Sequence, residues 1–391
     1  MSDHGSLVVA EDFDFLVTLL PDGWDAKAKE LGALRRCRKI PDAGTLLRIL
    51  LIHLAEGCSL RETAVRARQG GIADVSDVAI MDRLRCAGEW FRWLNTELMS
   101  RWVSEAPVSG QADARRMRIV DATQVNEPGQ TGSSWRLHYS VELPSLRCNE
   151  VLITGTRGHG TGETFAQFNV DNGDLLVGDR AYGAPPGIAY VVQNGGHVLV
   201  RFTWSNLPLW TASGARFDLF GHLRTLSGTA LGDWPVYVEH NGEMIPGRVC
   251  AARRSRQAAE KAQRQARRKA QKNGRQIAAE TLEAAKYFAI FTTLPRQALR
   301  PRKALHFYRG RWQVELVFKR LKSIVGLGHL RKRDDEASRA WIQGKLFVAF
   351  LLETMLRYAD SFSPWGYPLH APQAQPHSLP VARGELHAPP A

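Results

Sequence analysis

The sequence predicts an α/β protein in which an all-helical N-terminal region precedes a mixed sheet. Two observations support this fold class. Residues 1–112 carry helix-forming segments and no extended run of β-branched residues, whereas short apolar runs separated by Gly and Pro begin at residue 117. With 391 residues, the chain is long enough to bury the cores of about two or three domains.

The N-terminal region, residues 1–112, contains several helix signals. Residues 45–53 are apolar at helical spacing, and Ser59 stands at an N-cap position with Glu62 three residues later. Ser76 is placed to cap another helix. Short helices separated by tight turns are typical of helix-turn-helix DNA readers, although they suit a small helical bundle equally well. We predict a helical DNA-binding domain here.

Residues 113–202 alternate between strand and helix patterns. Short apolar runs, each ended by polar or turn residues, are separated by segments at helical spacing. In chain order the predicted elements are strands at 118–120, 138–142 and 150–154, a helix at 163–168, a strand at 175–177, a helix at 188–193 and a strand at 197–202. This is the element order of the ribonuclease H-like fold, so we predict the first part of such a catalytic core here.

Residues 203–300 are predicted to form a mainly β insertion in this core. Within it, residues 253–275 contain ten Lys or Arg residues and one acid, Glu260. Ala, Gln and Arg favour a helix, but no Leu, Ile or Phe forms a stripe to bury, which predicts a solvated helix or a disordered arm. Such an arm would contact phosphates without reading sequence. The residues that we predict to do so are Arg253, Arg254, Arg267, Arg268 and Lys269.

Two regions complete the chain. Residues 301–360 are predicted to hold the final helices of the catalytic core, because apolar residues recur there at helical spacing. Residues 361–391 are rich in Pro, His, Gln and Ala and are predicted to be disordered.

Composition restricts the class of protein. A formal net charge of +13 indicates a polyanionic partner, most commonly nucleic acid, although a basic enzyme without such a partner has the same charge. Five scattered cysteines, none spaced as C-x-x-C, argue against a disulfide framework or a zinc site. No apolar stretch is long enough to span a bilayer, and the N-terminus lacks the pattern of a signal peptide. We expect a cytoplasmic protein without a membrane partner.

The strongest local pattern is the quartet Tyr308, Arg311, Glu315 and Lys322. At about 100° per residue on one helix, the four share an arc of about 60°, with Lys319 beside them. The neighbouring stripe that we predict to face the core consists of Val314, Val317, Phe318, Leu321, Ile324 and Val325. The pattern predicts a carboxylate set among cations and a phenol. A solvated charged face with Arg311 paired to Glu315 explains the same spacing, except for the tyrosine.

Asp121 and Asp179 each follow a predicted buried strand. One aspartate in such a place is more often a cap or turn residue. Two of them, with Glu315 on a later helix, make an oxygen-rich set that suits Mg²⁺ or Mn²⁺. In phosphoryl transfer, two such ions per active site stabilise both the attacking and the leaving oxygen. The three carboxylates are therefore predicted to be catalytic and to bind metal.

Three motifs of the sequence match those of a known family: Ile-Val-Asp-Ala-Thr at 119–123, Gly-Asp-Arg-Ala-Tyr-Gly at 178–183, and the quartet. Together they resemble the DDE transposases of bacterial insertion sequences. More narrowly, they resemble the family named after insertion sequence four, which carries a Y-R-E-K signature. The resemblance covers roughly residues 40–360 of the chain.

The resemblance implies that Asp121, Asp179 and Glu315 are the catalytic, metal-binding triad of a cut-and-paste transposase. On the same resemblance, Tyr308, Arg311 and Lys322 hold phosphates at the transposon end, next to the scissile bond. We also predict that Lys319, which lies beside the quartet, and Arg180 contact DNA. Family members act as homodimers on double-stranded DNA, at terminal inverted repeats and at the target. The protein is then expected in the bacterial cytoplasm, associated with the nucleoid.

The resemblance also implies a place for an extruded base. Better-known family members cut through a DNA hairpin and flip a base onto an aromatic residue, often a Trp on the strand before the signature helix. Tyr287 stands at the matching position of this sequence. A tyrosine ring can also stack on a base, so Tyr287 is predicted to contact DNA.

Other functions remain open from the sequence. A catalytically inactive or truncated copy that only binds DNA shares the basic arm and the helical N-terminus, and residues 364–391 depart from the helices usual in the family. A metal-dependent ribonuclease H-like nuclease shares the core but has no use for the insertion or the quartet. A metal-dependent enzyme that acts on small molecules leaves the net charge unexplained.

Overall fold

The computed structural model describes residues 13–35, 37–104, 115–126, 134–328, 330 and 334–361. After helical residues 13–18, the N-terminal part contains α1 (Trp24–Glu30), α2 (Ala43–Leu54), α3 (Leu60–Gln69), α4 (Asp77–Cys86) and α5 (Gly88–Ser104). The predicted caps are confirmed: the Ser59 hydroxyl accepts a hydrogen bond from the Glu62 N–H at 3.1 Å, and the Ser76 hydroxyl accepts one from the Ala79 N–H at 3.2 Å. Each cap starts its helix by satisfying an N–H group that the helix itself leaves free.

One mixed sheet runs through the described part of the chain. Its strands are β1 (Met117–Asn126), β2 (Ser134–Leu143), β3 (Arg147–Gly155), β4 (Leu175–Gly178), β5 (His197–Arg201), β6 (Leu209–Trp210), β7 (Leu231–His240), β8 (Glu243–Arg253) and β9 (Tyr287–Thr292). Their order across the sheet is β3-β2-β1-β4-β5-β9-β8-β7-β6. The β1–β4 and β4–β5 pairs are parallel, and the other neighbours are antiparallel.

The first five strands are consistent with a ribonuclease H-like core. The predicted element order is confirmed, with a 3₁₀ turn (Phe165–Gln167) before β4 and α6 (Pro185–Gln193) between β4 and β5. One detail of the prediction was wrong: Asp121 lies within β1 and not at its end. The strand continues past Asp121 because β2 pairs with it along its whole length.

The insertion is not mainly β. Its helices α7 (Leu219–Arg224), α8 (Arg256–Lys272) and α9 (Ala279–Ala284) occupy about as much chain as its strands β6 to β9. The insertion also extends the core sheet, because β9 pairs with β5 on one side and with β8 on the other. The basic arm is a solvated helix, since α8 buries none of its residues.

The signature quartet spans two helices and not the single helix predicted. These are α10 (Pro301–Arg309) and α11 (Trp312–Ser323), and α12 (Asp335–Ser361) follows them. The Gly310 and Arg311 N–H groups bond to the carbonyls three residues earlier, on Phe307 and Tyr308. This tighter spacing ends α10, and glycine weakens a helix at that point.

The last helix packs against the N-terminal helices. In the contact between α12 and α5, the Asn95 amide donates to the Gln343 carbonyl at 3.0 Å, and the rings of Phe91 and Phe347 lie 5.5 Å apart. The predicted domain boundaries at residues 112, 202 and 300 stay predictions. The predicted disordered tail lies outside the described residues, apart from residue 361, which ends α12.

Both faces of the sheet are covered. One face packs against α11, α12 and the N-terminal helices, and the other against α6 and parts of the insertion. The predicted core residues Val314, Phe318 and Leu321 of α11 are buried. Ile324 is instead 71% exposed, because α11 ends one residue before it.

Candidate active site

Asp121 and Asp179 come together because β1 and β4 are parallel neighbours. Ile119 on β1 pairs with Val177 on β4, so Asp121 lies two residues farther along β1 and Asp179 lies just past the end of β4. Both strands are largely buried up to this point, and the two carboxylates follow at the edge of the core. The predicted convergence of the two aspartates thus has a simple basis in strand register.

A glycine shapes the turn that carries Asp179. A Cβ atom on Gly178 would approach Tyr182 to 2.8 Å and Phe165 to 2.9 Å, so no larger residue fits without displacing these rings. The Asp179 carboxylate then accepts a hydrogen bond from the Ala181 N–H at 2.8 Å. Close packing at Gly178 and the hydrogen bond to Asp179 therefore both fix the turn.

Arg311 connects Asp121 to Glu315. Its Nη1 lies 3.2 Å from Asp121 Oδ2, and its Nη2 contacts Glu315 Oε1. Arg311 stands between α10 and α11, so the interruption of the helix directs the guanidinium towards β1. We call Asp121, Asp179 and Glu315 the acidic triad.

The triad is strained electrostatically at Asp121. Burial raises the pKa of Asp121 to about 6, and the nearby charges of Asp179 and Glu163 add to this rise. The Ala122 N–H and the Arg311 guanidinium oppose it. The protein has thus placed like charges close together, with one arginine as partial compensation.

The donor set fits a hard divalent cation by its chemistry. All three groups are carboxylates, which Mg²⁺ and Mn²⁺ prefer, and the two aspartates repel each other without a cation. Among the residues that the structure describes, no three His, Cys, Asp or Glu side chains converge enough to hold an ion as they stand. Arg311 lies between Asp121 and Glu315, and the Glu315 side chain is 60% exposed.

The rest of the quartet lies around Arg311. Tyr308 is buried on α10, with its ring 5.6 Å from that of Phe288, and burial raises its pKa to about 12. Lys319 and Lys322 are exposed on α11, on the same helix as Glu315. Tyr308 is therefore a fixed part of the site, whereas the two lysines project into solvent.

Three guanidinium groups line one cavity and interact through their charges, and we call Arg180, Arg201 and Arg254 the cationic cluster. The Arg201 and Arg254 guanidinium carbons lie 5.6 and 5.4 Å from the centre of the Phe288 ring. Burial, followed by the charges of Arg180 and Arg254, lowers the pKa of Arg201 to about 10. Burial and like charges therefore both disfavour the charged form of Arg201.

Sequence reasoning missed Arg201. A signal was present, because Arg201 ends the apolar run of β5 just as a polar residue follows the apolar run of β4. Trp312 was also missed: it is 52% exposed next to Arg311, which is unusual for a tryptophan.

A cavity of about 530 Å³ adjoins the cationic cluster. Its wall includes Trp204, Tyr287 and, from α8, Lys261 and Lys269. Tyr287 is only 6% exposed and packs within the core of the insertion. Its ring borders the cavity from the inside and does not present an open stacking surface in this arrangement.

The predicted basic residues divide between two surfaces. Arg254 and Lys269 line the cavity, whereas Arg267 and Arg268 are exposed and are not among the residues that line it. Arg253 is exposed at the end of β8 and borders a second recess, which Arg254 also lines. The basic side chains of α8 therefore point in more than one direction, and the sequence alone does not show which of them line the cavity.

Comparison with known proteins decides the family. Residues 114–351 match the model of the transposase DDE domain. The transposase for insertion sequence element IS421 of Escherichia coli is 33% identical over 351 residues, which cover 88% of this chain and 93% of that protein. The InsL proteins of elements IS186A and IS186B, from Escherichia coli strain K12, are 33% identical over 350 residues with the same coverage. The chain belongs to the DDE transposase family.

The family assignment confirms the enzyme class predicted from the motifs. DDE transposases cleave DNA and transfer its strands, and they use divalent metal ions to do so. DNA is therefore the partner that the net charge indicated. Within the described ranges, no helix has the length and apolar character needed to cross a membrane.

Proposed function

We propose that this transposase moves an insertion sequence by cut-and-paste transposition, cleaving and joining DNA at terminal inverted repeats with Asp121, Asp179 and Glu315. One observation carries the assignment of these residues: Arg311 contacts Asp121 and Glu315 together, beside Asp179. Three acids that are far apart in sequence thus share one neighbourhood. An insertion sequence as the substrate is supported by the names of the IS421 and IS186 relatives.

The triad would hold Mg²⁺ or Mn²⁺, two ions per active site, which supply charge stabilisation for the attacking and leaving oxygens. Glu315 joins the two aspartates only when Arg311 releases it. A DNA phosphate offers Arg311 an alternative partner, because a guanidinium binds phosphate through two parallel hydrogen bonds. Binding of a DNA phosphate to Arg311 would then release Glu315 and so assemble the triad.

Several groups hold the strand for this chemistry. The Tyr308 hydroxyl and the cationic cluster bind phosphates near the scissile bond, since they lie together next to Arg311. Lys319 and Lys322 contact neighbouring phosphates from the exposed side of α11. An extruded base stacks on Tyr287 after its ring turns into the cavity, and such stacking contributes about 1–3 kcal/mol per base.

Further contacts lie outside the active site. The exposed cations of α8 and of the end of β8, Arg253, Arg267, Arg268 and Lys269, bind the phosphate backbone without reading sequence. The N-terminal helices bind the repeat, and two copies of the chain pair two ends of the element. A homodimer on DNA follows from the need to cut both ends together.

The test uses purified full-length protein, labelled DNA from the ends of its own element, and Mg²⁺ or Mn²⁺. We expect strand-specific nicking at the repeat end, lost in Glu315→Gln and retained in Glu239→Gln, a matched charge change at an exposed position of β7. Binding without cleavage under either metal would mean an inactive copy. Cleavage indifferent to the repeat sequence would mean a nuclease.

A further inference from the structure

A fourth acidic side chain stands near the triad. Glu163 lies next to Thr164, which caps the 3₁₀ turn, and Phe165 of that turn packs against Tyr182 with ring centres 5.2 Å apart. Phe165 and Tyr182 both reach Gly178, the residue before Asp179. The packing that shapes the Asp179 turn therefore also brings Glu163 to the same end of the sheet.

Glu163 approaches from the side of the sheet opposite to Arg311. Its Oε1 lies 3.5 Å from Nε of Arg136, a residue of β2 that pairs with Gln124 on β1. Burial raises the pKa of Glu163; Arg136 opposes this rise, and the charge of Asp179 adds to it. Glu163 is thus close enough to both aspartates to feel their charge.

Tyr182 supplies a second, independent observation. Its side chain is 1% exposed, and its hydroxyl has no hydrogen-bond partner among the described residues. Burial raises the pKa of Tyr182, and the charges of Asp121, Glu163 and Asp179 raise it further, so the hydroxyl is within electrostatic range of these three carboxylates. Buried hydroxyl groups nearly always have a hydrogen-bond partner. A movement of the nearby carboxylates would supply an acceptor for the Tyr182 hydroxyl.

We propose that Glu163 is an additional acidic residue of the active site that helps to hold the divalent cation, with the Tyr182 hydroxyl as hydrogen-bond donor to the carboxylates around it. The proposal rests on the proposed function, in which Asp121 and Asp179 bind that cation. Glu163 then holds the cation from one side of the sheet, and Glu315 from the other. Tyr182 is a positioning residue, because it acts through the carboxylates.

A simpler role for Glu163 is to pair with Arg136 and fix the loop before β4. The two roles predict different effects of substitutions at Glu163 and Arg136 on cation affinity. If Glu163 only fixes the loop, removal of either partner disturbs the site in the same way. If Glu163 holds the cation, neutralising it weakens cation binding, whereas neutralising Arg136 removes a nearby positive charge and strengthens it.

The experiment measures Mn²⁺ affinity of the full-length, DNA-free protein by electron paramagnetic resonance of free Mn²⁺. We expect about tenfold weaker binding in Glu163→Gln, in the range seen for groups that support metal ligands. We expect tighter binding in Arg136→Gln and no change in Glu97→Gln. In Tyr182→Phe we expect a few-fold weaker binding, with a metal-free melting temperature equal to or above that of wild type, because the ring packing is kept.

Several results would overturn the proposal. Equal Mn²⁺ affinity in wild type and Glu163→Gln overturns it, as does weaker binding in both Glu163→Gln and Arg136→Gln. Asp179→Asn separates this inference from the proposed function. If Asp179→Asn abolishes Mn²⁺ binding and Glu163→Gln does not weaken it, only the role of Glu163 is wrong. If the wild type binds no Mn²⁺ either alone or with DNA from the element's end, the metal assignment of the triad fails as well.

Discussion

The acidic triad and the cationic cluster are both neighbours of Arg311, and each collects groups of one charge sign, negative in the triad and positive in the cluster. In the triad, burial and neighbouring carboxylates raise the pKa of Asp121 to about 6. In the cationic cluster, burial and neighbouring guanidinium groups lower the pKa of Arg201 to about 10. Each region collects like charges that the folded chain itself leaves only partly compensated.

The two regions differ in how precisely their charged side chains are positioned. In the triad, Asp121 and Asp179 are fixed by strand register and one tight turn. The cationic cluster continues into α8, where exposed arginines and lysines repeat along a helix with no buried residue. Loss of one acid should therefore abolish chemistry, whereas loss of one cation should weaken binding in proportion. Both regions store unfavourable charge that a ligand of opposite sign relieves.

The largest effect is expected from Asp179→Asn. Cleavage of the element's end should fall by at least about 1000-fold, because a metal ligand of the reacting centre is removed while the groups that bind DNA remain. Single-turnover cleavage and gel-shift binding measure the two effects separately. Retention of cleavage within about tenfold of wild type would remove Asp179 from the triad.

A smaller loss is expected from Arg201→Gln. Affinity for the element's end should fall about tenfold, since a partly buried guanidinium bound to phosphate contributes more than an exposed one. The DNA-free protein should unfold at equal or higher urea concentration, because self-repulsion with Arg180 and Arg254 is relieved. If Arg201 were only a structural residue, the variant would be destabilised and its affinity unchanged.

Asp121→Asn tests the charge stored in the triad. The pKa of Asp121 is about 6 in the folded state and near 4 in the unfolded state, so protonation of this group favours folding. Asp121 therefore makes the wild type more stable as the pH falls from 6 to 4. The metal-free variant should therefore be more stable than wild type at pH 7, on the order of 1–3 kcal/mol, and the difference should vanish near pH 4. Urea unfolding at both pH values measures it. A destabilised variant at pH 7 would mean that the Arg311 pair outweighs the repulsion.

The smallest effect is expected from the double variant Arg267→Ala and Arg268→Ala on α8. Affinity for DNA should fall a few-fold at low salt, and the slope of log affinity against log salt should decrease by about one for each phosphate that the variant no longer binds. The cleavage rate at saturating DNA should not change. Wild type and variant should converge at high salt, and a difference that persists there would point to an interaction other than phosphate binding.

The element order and the helix starts were readable from the sequence because they depend on local patterns. Ser59 and Ser76 cap their helices where predicted, and the apolar run 175–177 delivers Asp179 as expected. The family motifs indicated the triad residues. The composition of residues 253–275 predicted a solvated helix or a disordered arm, and α8 is the solvated helix. Each of these depends on residues within one or two turns of one another.

Only the tertiary structure decided how distant segments meet. No local pattern tells that β9 pairs with β5, about ninety residues away, and so joins the insertion to the core sheet. Nor does spacing reveal that the chain turns at Gly310, which places Arg311 between Asp121 and Glu315. Arg201 and Glu163 became visible as site residues for the same reason: their chemistry depends on which charges lie beside them after folding, and the sequence alone does not encode those distances in any short-range pattern.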